Sequence, residues 1–315
     1  MLSSSKGQGF RHSFMIWARL ARIPFLTGTI IPITLGAVIA WSSIRAFNPA
    51  YFVLALVGGM CLHLGTNIIN DYFDFRSGCD SINTEGLSPI SGGSRVLLEN
   101  LIKPQTAYFV ALAFFGVAGL IGVVLSLAVG WVILLLGAIG VISGYFYVTQ
   151  LATRGVGELI VGLNFGPLMV LGSYYVQAHN LALGPLVASV PVGLLITAIL
   201  WINEIPDYTA DKAVGKKTLV VRVGRKRAVD LYAIIVIAAY GWTATMVILR
   251  QMPLASLIVL ATLPLAWKAI ATARKYLEKP QEMIAANLST INMHLLFGVL
   301  LAIGYVLSTF WSVLG

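Results

Sequence analysis

Nine apolar runs, each about 20 residues long, follow one another through a chain of 315 residues. A helix needs about that length to cross bilayer hydrocarbon, where every backbone polar group must be bonded within the protein. The runs lie near residues 21–41, 50–73, 105–127, 130–149, 157–177, 184–205, 229–249, 254–271 and 291–312. They predict an all-α polytopic membrane protein with nine transmembrane helices, as one domain over residues 1–315. The first run is too long and too late for a cleaved leader, and no small-residue cleavage site precedes a soluble domain, so it counts as the first span.

Basic residues orient the spans, because Lys and Arg favour cytoplasmic loops. With the amino terminus inside and the carboxyl terminus outside, 19 of the 21 Lys and Arg residues fall on the inner side, leaving Arg45 and Arg250 outside. The net charge of +9 is thereby assigned to topology and anionic lipid, not to nucleic acid. Cys61 and Cys79 form neither a metal-binding spacing nor a disulfide framework.

Two loops are long, residues 74–104 and 206–228, and each follows a span that turns acidic at its inner end. The first acidic stretch reads NIINDYFDFRSGCD over residues 67–80, and the second begins INEIPDYTADK at residue 202. Asn203, Asp207 and Asp211 recur every fourth residue and form one helical stripe, with neighbours about 5–6 Å apart. Asn70 and Asp74 have the same spacing, 133 positions earlier. That offset suggests an internal repeat, about 15–150 and 151–272, followed by a ninth helix over 291–312. Pro206 should loosen the second helix and leave a free carbonyl among the carboxylates.

His63, Asn67, Asn70 and Asp74 share one face of the second span, flanked by Asp71, and such a face must look into the bundle or a wet cavity. Acids at helix ends also serve as caps and partners of loop Lys and Arg, but two matched motifs favour a site. Facing Asn and Asp stripes offer hard oxygen donors, which suit Mg²⁺ held between carboxylates and substrate phosphate oxygens. The metal candidates are Asn67, Asn70, Asp71, Asp74, Asp80, Asn203, Asp207 and Asp211. Arg22, Arg76, Arg95, Arg154, Lys212, Lys216 and Lys217 are the candidate diphosphate-binding cations. ISGGSRV, residues 90–96, reads either as an amide cradle for an anion or as a flexible turn.

A diphosphate beside hydrocarbon implies an isoprenoid, whose allylic cation needs a dry site with π faces. Tyr145 and Tyr147 stand near the level of the acids, where an interfacial aromatic belt is the alternative. In the fifth span, Gly162, Gly166 and Pro167 surround Asn164, which reads as close helix packing and an interhelical hydrogen bond or as pocket lining. His294 reads as a satisfied histidine within the bundle.

These motifs and the nine spans make the chain resemble the UbiA superfamily of intramembrane prenyltransferases over nearly its full length. The resemblance implies a ring of nine helices around a central cavity, capped on the cytoplasmic side by the two long loops. It implies Mg²⁺ as cofactor, held with the diphosphate by Asn70, Asp74, Asp207 and Asp211, with Asn67, Asp71, Asn203 and the loop cations assisting. Catalysis is expected to depend first on Asp74, Asp207 and Asp211, then on Asn70, Tyr145 and Tyr147. Many members read NDxxDxxxD, which would place an acid at position 78; this chain has Gly78 there and its next acid at Asp80. That ending, with GGSRVL, RGVGE, FGPLMVLGSYYVQ and DKAVGKKTLVVRVG, is similar to the branch that prenylates 1,4-dihydroxy-2-naphthoate with loss of CO₂ in menaquinone biosynthesis. The expected partners are a polyprenyl diphosphate, a naphthoate-like aromatic acceptor and the bilayer of the inner (plasma) membrane, with the active site toward the cytoplasm. The rivals are another acceptor, such as 4-hydroxybenzoate, homogentisate or a lipid alcohol, and, outside enzymes, a polytopic transporter.

Overall fold

The computed structural model describes residues 2–83, 85, 86, 88 and 91–311. Every regular element among the described residues is helical, and nine of the helices are long and apolar enough to cross a membrane. They are α1 (Ile23–Ile44), α2 (Pro49–Ser77), α3 (Pro104–Val129), α4 (Val132–Arg154), α5 (Gly157–Ala178), α6 (Leu183–Ala213), α7 (Arg225–Ile248), α8 (Leu254–Lys275) and α9 (Gln281–Phe310). The predicted spans coincide with these helices to within a few residues at most ends. The main departures are the inner end of α6, which stays helical to Ala213 and so keeps its acids on a rigid surface, and the amino-terminal end of α9. A helix over Leu2–Leu20, which hydropathy does not announce, precedes α1. Its Arg19 donates to the Ser94 carbonyl at 2.6 Å and pairs with Glu99, which docks it on the loop between α2 and α3.

Neighbours close a bundle: α2 packs on α3 and α4, α1 on α5 and α9, α5 on α6, α6 on α7, and α8 on α9. The most buried span is α6. Its Leu195, Ile202 and Ile205 pack with Tyr232 of α7 and Phe297 of α9 in the largest core cluster. The opposite apolar faces, with Leu127 of α3, Ile248 of α7 and Trp267 of α8, point outward. In water such a surface would aggregate, whereas in a bilayer it is the complement of the lipid chains. The protein is a multi-pass membrane protein.

Small residues set one helix crossing. A Cβ at Gly166 of α5 would meet the Gly193 backbone of α6 at 2.7 Å, so only glycine permits this approach. Between them, α5 takes a π turn over Asn164–Leu168, ending beside Pro167. Asn164 donates to Ser143 of α4 at 2.7 Å, the interhelical bond its position suggested, and it also lines the cavity.

The helix α6 runs through Pro191 and Pro206. Because Pro206 has no N–H, the Ile202 carbonyl four residues earlier lacks its helical donor. Asn287 of α9 approaches that carbonyl at 3.4 Å and donates to the Asn203 side-chain oxygen at 2.6 Å. The freed carbonyl therefore meets an amide, not the carboxylates expected from the sequence. His294 also departs from expectation: it is buried, and neither ring nitrogen has a partner among the described residues. The hydroxyl one turn away, on Thr290, is already engaged with Tyr232 and the Ala286 carbonyl.

Candidate active site

The inner ends of α2 and α6 stand on opposite walls of a cavity of about 720 Å³, which continues between α1, α3, α4 and α5 along an apolar lining. Asn67, Asn70 and Asp74 reach it from α2, and Asn203, Asp207 and Asp211 from α6, so both sequence motifs converge. The short helix Cys79–Ile82, entered through Gly78 in the left-handed conformation at φ 79°, adds Cys79 and Asp80. Glycine at 78 is thus a turn that redirects the chain, and the acid follows two residues later.

Each carboxylate has a distinct setting. Asp71 is buried, yet one oxygen accepts from Arg22 at 2.6 Å and the other from the Ser94 amide at 2.9 Å. It does not line the cavity, which removes it from the donor set and makes it the anchor of Arg22. Asp80 does line the cavity. In the absence of a cation, burial pushes its carboxyl up to about 8, with Asp74 and Asp71 adding to the shift and Arg22 and Lys216 opposing it. Gly93, at φ 74°, lies against it: a Cβ there would fall 2.6 Å from Asp80 Oδ1.

Asp207 is covered by the loop after α2, accepting from the Asn83 amide at 2.9 Å and the Gly92 backbone N–H at 3.1 Å. Residues 91–96 of the ISGGSRV segment thus spend the Gly92 and Ser94 amides on Asp207 and Asp71, instead of cradling an anion; Ile90 lies outside the described residues. The Cys79 thiol donates to Asp211 Oδ1 at 3.4 Å, so it is a buried part of the site and not a free loop thiol. Burial pushes that thiol's pKa up.

Among the candidate cations, Lys216 and Arg22 reach the cavity. The Lys216 ammonium lies 3.3 Å from Asp74 Oδ1 and 3.6 Å from Asp211 Oδ1. Burial opposes its charge, and the two carboxylates more than offset that, raising its pKa well above the ordinary lysine value. For Arg22 burial also opposes the charge, and Asp71 first, then Asp80 and Asp74, holds the guanidinium protonated. Arg76, Arg95, Arg154, Lys212 and Lys217 are exposed and do not line the cavity. Arg76 stacks on Tyr72 and Lys212 on Tyr208, positions from which a cation is not held against the acids.

Of the two tyrosines, Tyr147 lines the cavity. Tyr145 does not: its hydroxyl meets that of Tyr108 at 3.3 Å, and its ring packs edge-on against Phe73. Successive positions point to different faces of a helix, and α4 turns only one of these rings inward.

The donor set suits a hard divalent cation. Asn70 Oδ1 is buried and has no partner among the described residues. Asp74, Asp80, Asp207 and Asp211 line the same cavity, and all these donors are oxygens. The Asn203 oxygen accepts from Asn287 and is less free than that of Asn70, whereas Asn67 spends only its amide nitrogen, on the Ala21 carbonyl. No group of three acidic, His or Cys side chains among the described residues is close enough to cage a metal alone. This arrangement fits Mg²⁺, which keeps positions open for substrate oxygens. Asn83, Gly93 and Glu204 are cavity residues absent from the sequence-based donor set. Glu204 carried a signal, since positions 204, 207 and 211 also share a helical face.

Residues 29–296 match the UbiA prenyltransferase family. The chain is 31% identical to the 1,4-dihydroxy-2-naphthoate octaprenyltransferase of Bacillus subtilis, over 94% of this chain and 93% of that protein. It is 28% identical to the 2-carboxy-1,4-naphthoquinone phytyltransferase of Synechocystis, over 92% of each. The fold is similar to that of a UbiA homolog from Archaeoglobus fulgidus bound to GPP and Mg²⁺, with a TM-score of 0.63 at 15% identity, covering 92% of this chain and 98% of that one.

Proposed function

The chain belongs to the UbiA prenyltransferase family and is a prenyltransferase, and we propose that it moves a polyprenyl group from its diphosphate to 1,4-dihydroxy-2-naphthoate, with loss of CO₂. The observation that carries this reading is the convergence of two acidic motifs at the polar end of one apolar cavity. A diphosphate fits the polar end, and an isoprenoid chain fits the remainder. The acceptor is inferred from the naphthoate prenyltransferases to which the chain is similar.

In this reading Asp74, Asp80, Asp207 and Asp211, with Asn70, would hold Mg²⁺ at the polar end of the cavity. When bound, the ion supplies charge that stabilises the departing diphosphate. Arg22 and Lys216 donate to the diphosphate oxygens, and the Tyr147 ring faces the cationic carbon left behind. Asn83, Gly92 and Gly93, which line the polar end, shut water from it, so that the allylic cation meets the acceptor first. The acidic end faces the cytoplasm of the plasma membrane, supported by the distribution of Lys and Arg between loops.

The test is purified protein in nanodiscs with a labelled polyprenyl diphosphate, Mg²⁺ and separate hydroxyaryl acceptors. The expected outcome is prenylated naphthoquinol with CO₂ released in equal amount, abolished by EDTA. Transfer to 4-hydroxybenzoate, homogentisate or a lipid alcohol in place of the naphthoate overturns the acceptor. Passage of substrate across the bilayer without any product overturns the enzyme reading.

A further inference from the structure

The cavity holds one acid that neither motif uses. Glu204 stands three residues before Asp207 on α6, about 4.5 Å deeper along the helix axis, and it lines the cavity while remaining buried. Among the described residues no Lys or Arg forms an ion pair with it; the charged and titratable groups around it are Glu158, Asp211, Lys216 and Tyr147. The Glu158 and Glu204 carboxyl groups are within hydrogen-bonding reach of each other. Each has a buried Oε2 atom without a partner. The vacant Glu204 oxygen is thus open to a hydroxyl donor that enters the cavity.

Glu158 is fixed from its other side. Its Oε1 accepts the Leu219 backbone N–H at 2.5 Å, at the start of the short helix Leu219–Val223, and its carbonyl accepts from Thr197 at 3.2 Å. The residue is wedged between α5, α6 and the loop beyond α6, while Glu204 is turned toward the cavity. A purely structural acid in this environment would be expected to face a cation. This one faces a second acid and an open space.

We propose that Glu204 is the group that binds the hydroxyl of a hydroxyaryl acceptor and takes its proton, with Glu158 as the positioning residue. This rests on the prenyl-transfer reading above. The allylic C–O bond breaks with its electron pair going to the diphosphate. The ring carbon that bears the carboxylate, next to the hydroxyl-bearing carbon, donates a π pair to the allylic carbon, forming the C–C bond. The hydroxyl proton moves to Glu204, leaving a ketone beside the carboxylate. The C–CO₂ bond then breaks, its pair re-forms the aromatic ring, and the oxygen recovers the proton from Glu204. No net proton is gained or lost, so the step draws no proton from solvent.

The test separates ionisation of the donor from capture by the acceptor. Glu204→Gln should hydrolyse an allylic prenyl diphosphate in the absence of acceptor within about threefold of the wild-type rate, while prenyl transfer falls by roughly 10²–10³-fold. Glu158→Gln should lower the transfer rate about tenfold, with the acceptor KM little changed. An acceptor methylated on the hydroxyl next to its carboxylate should be a poor substrate for wild type, and Glu204→Gln should cost nothing further with it. Equal loss of hydrolysis and transfer in Glu204→Gln, undiminished transfer, or multiplicative losses with the methylated acceptor would each overturn the proposal. Hydrolysis by wild type with no transfer to any hydroxyaryl acceptor would instead overturn the acceptor class itself.

Discussion

The Asn83 side-chain amide donates to Asp207 Oδ1 at 2.9 Å across 124 positions of sequence. One hydrogen bond therefore ties the loop that follows the first motif to the leading carboxylate of the second. A bond to a charged group is worth about 1.5–3 kcal/mol. Asn83→Ala should raise the prenyl diphosphate KM by roughly tenfold or more, with little change in expression, as read from initial rates against substrate concentration.

Asp71 and Asp80 should fail differently when replaced. Removing Asp71 leaves the half-buried Arg22 without its partner, a loss of about 3 kcal/mol. Asp71→Ala should therefore lower the melting temperature in detergent, with Mn²⁺ affinity second in magnitude. Asp80→Asn should keep the melting temperature and weaken Mn²⁺ binding in the presence of a diphosphate analogue, measured by electron paramagnetic resonance. A reversal of the two patterns would reassign the donor set.

Gly93→Ala places a methyl group against the Asp80 carboxylate and imposes a left-handed conformation on a residue with a Cβ. The backbone alone costs about 1–2 kcal/mol. The expected outcome is a loss of activity of at least tenfold, whereas Gly116→Ala, with open space around its Cβ, should be tolerated. Paired turnover assays at equal protein check this.

The Asp80 carboxyl, raised to about 8 chiefly by burial, links stability to pH in the cation-free protein. Its folded-state pKa lies above the ordinary value near 4. Its contribution to stability is therefore complete in acid, and it is lost as pH rises through about 8. In EDTA the melting temperature should decline between about pH 4 and 8 and level off above that, and Asp80→Asn should flatten the decline. Cation binding requires the ionised form, so Mg²⁺ affinity should rise over the same interval. A decline equally steep in Asp80→Asn would assign it to other groups.

The spans were legible because hydrocarbon demands about 20 apolar residues per helix and the sequence supplies them in separate blocks. The two motifs were legible for the complementary reason, as Asn70, Asp74, Asp207 and Asp211 have no inexpensive place in lipid. Contacts between distant segments left no such trace. Nothing in the order of residues says that Ser94 caps Asp71, or that Asp80 instead reaches the cavity. Tyr145 and Tyr147 differ by two positions and one helical face, a distinction that depends on the rotation of α4. Glu158 stands in the first turn of a helix, where acids are common, and its meaning requires Glu204, 46 positions away.

The contact between Asn287 and the Ile202 carbonyl has an evolutionary corollary. It answers a vacancy created by Pro206, so a chain with an N–H at 206 loses half the reason for an amide at 287. The two positions are expected to covary among related sequences, and Pro206→Ala should partly suppress the defect of Asn287→Ala. The ninth helix, which lies outside the supposed duplication, would then carry the compensating change for a flaw in the sixth.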